Sequence, residues 1–150
     1  MAYKQPVSVL VIIHTPRGQV LLIERAQQIG FWQCVTGSRE EGDADLVSTA
    51  VREVHEETGI VARPQDLQDW RITNTYEIYP AWRHRYAPGV TLNTEHVMSL
   101  CIEQTQPVVL SAHEHRAWQW LDWREAADAC FSPSNAEAIL LLPRFFPLQT

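Results

Sequence analysis

The stretch GSREEGDADLVSTAVREVHEETGI, Gly37 to Ile60, changes character near Asp45. Before that point, Gly37 to Gly42 follows neither a helical nor a strand period, and a loop is expected. After it, Leu46, Val47, Ala50, Val51 and Val54 recur at helical spacing along one face. Gly59 stands where a left-handed residue closes a helix, so the spacing predicts a helix over about 44–58.

Glu53, Glu56 and Glu57 stand at i, i+3 and i+4 of that helix, which places their carboxylates on one face. They crowd its C-terminal end, where the macrodipole favours cations and an exposed carboxylate costs about 0.3–1 kcal/mol. Two readings fit. In the first, a solvated acidic face is balanced by Arg52 through its i, i+4 partner Glu56. In the second, the clustered oxygens hold Mg²⁺, which prefers octahedral oxygen coordination and keeps waters for contact with substrate phosphates.

Outward from this helix the pattern is mostly strand. Val7 to His14 and Val20 to Arg25 are β-branched and apolar, with a turn over Thr15 to Gly18 that predicts a hairpin. Phe31 to Thr36 is a further strand, and four more are expected over 60–62, 69–79, 95–103 and 116–121. Two short helices are predicted over 123–129 and 135–142, the second capped by Ser134 and stopped by Pro143. Elements mixed in this order predict an α/β (α+β) architecture, a mixed sheet covered by helices on both faces.

Composition narrows the function classes. A chain of 150 residues, 45% hydrophobic and 20% charged, is expected to be a single domain over 1–150 with a core that needs no staples. Its net charge of -6 argues against nucleic acid as a partner. Three cysteines without a CxxC pair signal neither a disulfide framework nor a zinc knuckle, and are read as small buried hydrophobes. No apolar run approaches a membrane span and none resembles a secretion signal, so no membrane partner is expected and the location is read as cytoplasmic. Within this acidic chain residues 71–93 are basic: Arg71, Arg83 and Arg85 face only Glu77, and Arg85 is a candidate for an anionic ligand. Most of the six tryptophans are expected in the core, with Trp118 and Trp120 on one strand face.

Gly37-Ser38-Arg39-Glu40-Glu41-Gly42-Asp43, then the helix, then Arg52-Glu53-Val54-His55-Glu56-Glu57-Thr58-Gly59-Ile60, strongly resembles the Nudix box of the Nudix hydrolase superfamily. Asp43 takes the position where that box carries Glu, and eight residues instead of seven separate it from Arg52. The resemblance implies a Nudix-type α/β/α sandwich with the loop-helix-loop box at about 37–60. It also implies metal ligation by Glu53, Glu56, Glu57 and Glu114, with Mg²⁺, or alternatively Mn²⁺, as cofactor. Arg52 would orient a carboxylate, as a guanidinium fork does by two parallel hydrogen bonds.

The segment HRYAPGVTLNTE, His84 to Glu95, together with Tyr3 to Ser8, Phe31 to Ser38 and Trp120 to Asp122, is similar to the branch of that superfamily acting on dihydroneopterin triphosphate. That similarity implies cleavage to the monophosphate and pyrophosphate in folate synthesis. It places substrate contacts at Lys4, Arg25, Thr36, Tyr76, Glu77, Ile78, Tyr79, Glu114 and Ser132, while His113 and His115 are read as surface residues. The partner is then a small-molecule pterin or nucleoside triphosphate, and the protein a monomer or small homo-oligomer. Two other readings stay open: hydrolysis of other (deoxy)nucleoside triphosphates, and a catalytically silent ligand-binding Nudix domain.

Overall fold

Strand β1, Val7–His14, is almost wholly buried because both of its faces are covered. Val9, Val11 and Ile13 point into one apolar cluster, and Leu10 and Ile12 into another on the opposite face. In the computed structural model, which describes residues 2–150, β1 lies at the centre of a mixed sheet. Among the described residues the other strands are β2 Gln19–Arg25, β3 Trp32–Gln33, β4 Val35–Ser38, β5 Leu67–Glu77, β6 Leu92–Cys101 and β7 His115–Asp122. The order is β3-β2-β1-β6-β5, with β4 also on β1 and β7 also on β2. The β1–β6 pairing is parallel, and the other pairings are antiparallel.

Helix α1, Leu46–Thr58, packs Ala50 and Val54 onto the face that carries Val9, Val11 and Ile13. On the other face α2, Trp123–Ala129, and α3, Pro133–Phe145, bury Ala126, Ala127, Ala138, Ile139 and Leu142. The expected sandwich is therefore formed. The predicted α1 is two residues too long at its start: Asp45 is the N-cap, its carboxylate accepting the Ser48 amide at 2.8 Å. Gly59 closes the helix as expected, with φ of 76° and its amide on the His55 carbonyl.

Other boundaries differ from the sequence expectation. The strand expected over 31–36 breaks at Cys34: β3 pairs with β2 while β4 crosses to β1 and runs on through Gly37 and Ser38, which were expected in a loop. Residues 60–62 form no strand and run into a short 3₁₀ turn at Pro64–Asp66. Pro143 does not stop α3, which continues to Phe145, and its cap residue is Ser132, not Ser134. The Ser134 hydroxyl is instead engaged by Glu95. Of the tryptophans only Trp70 is fully buried, and Trp118 is 39% exposed. Cys34 is buried, Cys101 and Cys130 are half-buried, and all three are free.

Candidate active site

Glycine at 37 lets α1 approach β4 so closely that any Cβ there would collide with the Glu53 carboxylate. That close approach places Glu53 and Glu57 in the lining of an open cleft of about 950 Å³. The cleft is walled by Lys4, Arg25, Gln33, Thr36, Glu56, Tyr76, Trp82, Arg85, Asn93, Glu114 and His115. A second pit of about 30 Å³, lined mainly by Trp70, Ile72, Val97 and Leu141, is too small for a ligand.

Arg52 holds the acidic side in place. Its Nε donates to Asp43 Oδ1 at 3.1 Å and its Nη2 to Asp43 Oδ2 at 2.9 Å, a two-pronged pair. Its Nη1 donates to Glu53 Oε1 at 2.8 Å and to Glu56 at 3.3 Å, and its Nη2 also reaches the Ser38 carbonyl. Asp43 further accepts the Glu40 amide and the Thr49 hydroxyl. The longer spacing within the box is thus no obstacle, because the loop folds Asp43 back onto Arg52. The guanidinium holds the Asp43 carboxyl well below its usual range, and Asp43 in turn raises Arg52.

Glu57 is 2% exposed, and neither of its oxygens has a hydrogen-bond partner from another residue type. Desolvation, then the adjacent Glu53, push its carboxyl far above the ordinary value; Glu53 is raised mainly by desolvation as well. Arg52 reaches Glu53 but not the buried Glu57, so one cation serves two adjacent carboxylates, and a divalent ion is the further partner their hard oxygens fit. The described residues hold no preassembled group of three or more His, Cys, Asp or Glu side chains arranged to bind an ion. Glu53 and Glu57 meet, whereas the Glu56 and Glu114 side chains, about half exposed, stand on the walls. The expected four-carboxylate set is therefore reduced to a pair with two outlying members.

Opposite the carboxylates the cleft is basic. Arg25 lies over the Trp82 ring at 4.1 Å, donates to Gln33 Oε1 at 3.0 Å, and is lowered first by desolvation and then by the charge of Arg85. The same two causes lower Lys4. The Lys4 amide bonds the Arg85 carbonyl at 2.9 Å, tying the N-terminal segment to the 3₁₀ turn Pro80–Arg85 and bringing both cations to the same mouth. Like charges held together, none of them in an ion pair among the described residues, leave a site suited to a polyanion.

The structure brings Lys4, Arg25, Thr36, Arg85, Glu114 and, of the 76–79 run, Tyr76 into the cleft. Glu77 points to solvent near Arg83, Ile78 is buried, and Tyr79 stacks edge-on against Phe31 and Phe131. β5 ends at Glu77, two residues short of the strand expected over 69–79, so Ile78 and Tyr79 leave the strand. Ser132 lies outside the cleft wall, its hydroxyl on that of Ser134. His115 is not a surface residue: it is 5% exposed, beside Glu57 at 3.6 Å, and burial lowers its pKa to about 4. Sequence reasoning also missed Gln33, Trp82 and Asn93, whose only local signal is polarity or size within strands and a loop. Among buried side-chain N and O atoms left without a partner, all but His14 Nε2 belong to cleft residues: Glu57, Trp82, Asn93 and His115. Such orphans are rare in a folded interior and mark where a ligand is expected.

The NUDIX domain profile matches residues 4–142. The chain belongs to the NUDIX family. Its relatives include the dihydroneopterin triphosphate diphosphatase of Escherichia coli strain K12, 44% identical over 91% of each chain. The enzyme of the same name from Haemophilus influenzae is 37% identical over 93% of this chain and 88% of its own. The solved structure of the E. coli dihydroneopterin triphosphate pyrophosphohydrolase superposes with a TM-score of 0.86 at 41% identity, covering 97% of this chain and 98% of that one. Nudix hydrolases generally use a divalent metal, and Glu53, Glu56 and Glu57 lie within the matched residues.

Proposed function

We propose that this NUDIX hydrolase cleaves 7,8-dihydroneopterin 3′-triphosphate to the monophosphate and pyrophosphate, with water as nucleophile and Mg²⁺ as its cation. One observation carries the reading most: a single cleft joins the buried Glu57 and its neighbour Glu53 to the three cations Lys4, Arg25 and Arg85, the arrangement a polyphosphate ester needs. Relatives named for this reaction, alike over nearly the whole chain, support the choice of substrate.

Glu57 and Glu53 would hold the metal, with Glu56 and Glu114 completing the set. When bound, the ion neutralises phosphate charge, lowers the pKa of water and aligns the in-line displacement. The rest falls to the chain itself. Lys4, Arg25 and Arg85 bind phosphate oxygens and offset charge developing on the departing pyrophosphate. Arg52, braced by Asp43, fixes the rotamer of Glu53. Thr36 and Gln33 line the passage between the acidic and basic halves, and Tyr76 presents its ring beside the heterocycle.

The test is turnover of dihydroneopterin triphosphate beside the four deoxynucleoside triphosphates, with Mg²⁺ and with chelator, resolving pyrophosphate from phosphate. Pyrophosphate release that needs the metal and favours the pterin supports the reading. Equal or better use of a deoxynucleotide overturns the pterin assignment, and absence of turnover on every substrate overturns the enzymatic one.

A further inference from the structure

Asn93 lies on β6 directly opposite Tyr76 of β5 and is 3% exposed. Its Nδ2 donates twice, to Ser8 Oγ at 2.8 Å and to Tyr76 Oη at 3.1 Å. The Tyr76 hydroxyl donates onward to Glu95 Oε2 at 3.4 Å, and the Ser134 hydroxyl donates to Glu95 Oε1 at 2.9 Å. Glu95 is 2% exposed and forms no ion pair among the described residues. The chain of bonds has one consistent direction. A carboxylate accepts, so the Tyr76 hydroxyl donates to it; the Tyr76 oxygen then accepts from Asn93, and the amide is turned with its nitrogen inward. Asn93 Oδ1 is left as a buried acceptor that meets no donor. An orphan of this kind bears the desolvation cost of a hydrogen bond left unmade. The residue lines the cleft beside the exposed ring of Tyr76, and it stands well apart in sequence from the box carboxylates.

We propose that Asn93 is a specificity-determining residue whose Oδ1 accepts a hydrogen bond from an N–H of the substrate heterocycle. The proposal rests on the functional reading above and names the ring group that is read, a lactam N–H that the pterin shares with guanine and that the pairing edges of adenine and cytosine lack. The Tyr76–Glu95–Ser134 chain positions the amide so that it rejects a ring edge offering only acceptors. A lactam-type edge, with a ring N–H and an exocyclic amino group, satisfies Oδ1; an acceptor in the same place faces another acceptor and leaves the orphan unmet.

The test compares wild type with Asn93→Leu, and with Asn93→Ser in case leucine prevents folding. Inhibition of the Mg²⁺-dependent reaction is titrated with dihydroneopterin, which carries the ring alone, and with pyrophosphate, which carries the phosphates alone. The expected result is a loss of about tenfold or more in dihydroneopterin affinity, with pyrophosphate inhibition unchanged within about twofold. Equal loss for both ligands, or loss for neither, overturns the proposal; the second outcome is the one expected if Oδ1 is met only by a buried water. Where wild type prefers a deoxynucleoside triphosphate, the pterin reading fails by itself. The same titrations with the preferred nucleoside then decide the role of Asn93.

Discussion

Replacing Asp43 by Asn keeps the side-chain volume and removes the charge that braces Arg52. Asp43 is 9% exposed and accepts four hydrogen bonds, two from the Arg52 guanidinium, one from the Glu40 amide at 2.9 Å and one from Thr49 Oγ1 at 2.8 Å. Asparagine retains one acceptor oxygen and turns an NH₂ toward groups that are themselves donors. Breaking a buried pair outright costs about 3–5 kcal/mol. Arg52 is 23% exposed in its side chain and keeps Glu53, Glu56 and the Ser38 carbonyl, so the expected loss is smaller, about 2–3 kcal/mol. For a chain of this size that lowers Tm by about 4–12 °C. The pH dependence has a definite sign. Because the folded-state pKa of Asp43 is depressed, its contribution is complete above the unfolded value of 3.8 and drains away as pH falls below it. Thermal unfolding followed by circular dichroism at pH 7 and pH 3 should show a wide gap between wild type and Asp43→Asn at the first and a reduced one at the second, where folded Asp43 is still ionised and only part of its contribution is lost. A variant that melts within 1 °C of wild type at pH 7, on the order of a negligible change, refutes the bracing role, as does a gap of unchanged width at pH 3.

Three further outcomes are expected. Gly37→Ala drives a methyl into the Glu53 carboxylate and should cut turnover about 10–100-fold while far-ultraviolet circular dichroism stays native; near-normal kcat would contradict the close approach. Glu57→Gln should abolish most turnover and yet raise stability by about 0.5–2 kcal/mol in chelator above pH 5, because it removes a buried carboxyl with a raised pKa; the gain should vanish below the unfolded value of 4.5, and denaturant titrations at both pH values check it. Asp45→Ala removes the N-cap of α1 and should cost about 1 kcal/mol in urea unfolding with kcat intact, so an unchanged midpoint would show that the cap contributes nothing.

The sequence by itself determined α1 and its chemistry. Helical spacing set Ala50 and Val54 toward the sheet, the i, i+3, i+4 spacing put Glu53, Glu56 and Glu57 on one face, and Gly59 closed the helix; each depends on neighbours a few residues away. The central strand was equally legible, since burial on both faces writes an unbroken apolar run. What the tertiary structure alone decided lies where distant segments meet. Whether Glu57 is a solvated carboxylate or a buried one depends on how close β4 lets the helix come, and that is fixed across the gap between Gly37 and Glu53. The role of Asp43 depends on a loop folding back to Arg52, and that of His115 on a strand far along the chain lying beside Glu57. Pro143 stays inside α3 because packing of Ile139 and Leu142 on the sheet outweighs a local stop signal. Asn93 carried no local signal beyond its polarity within a strand: its orientation comes from a chain of hydrogen bonds linking β1, β5, β6 and α3, and only the assembled sheet brings those four elements together.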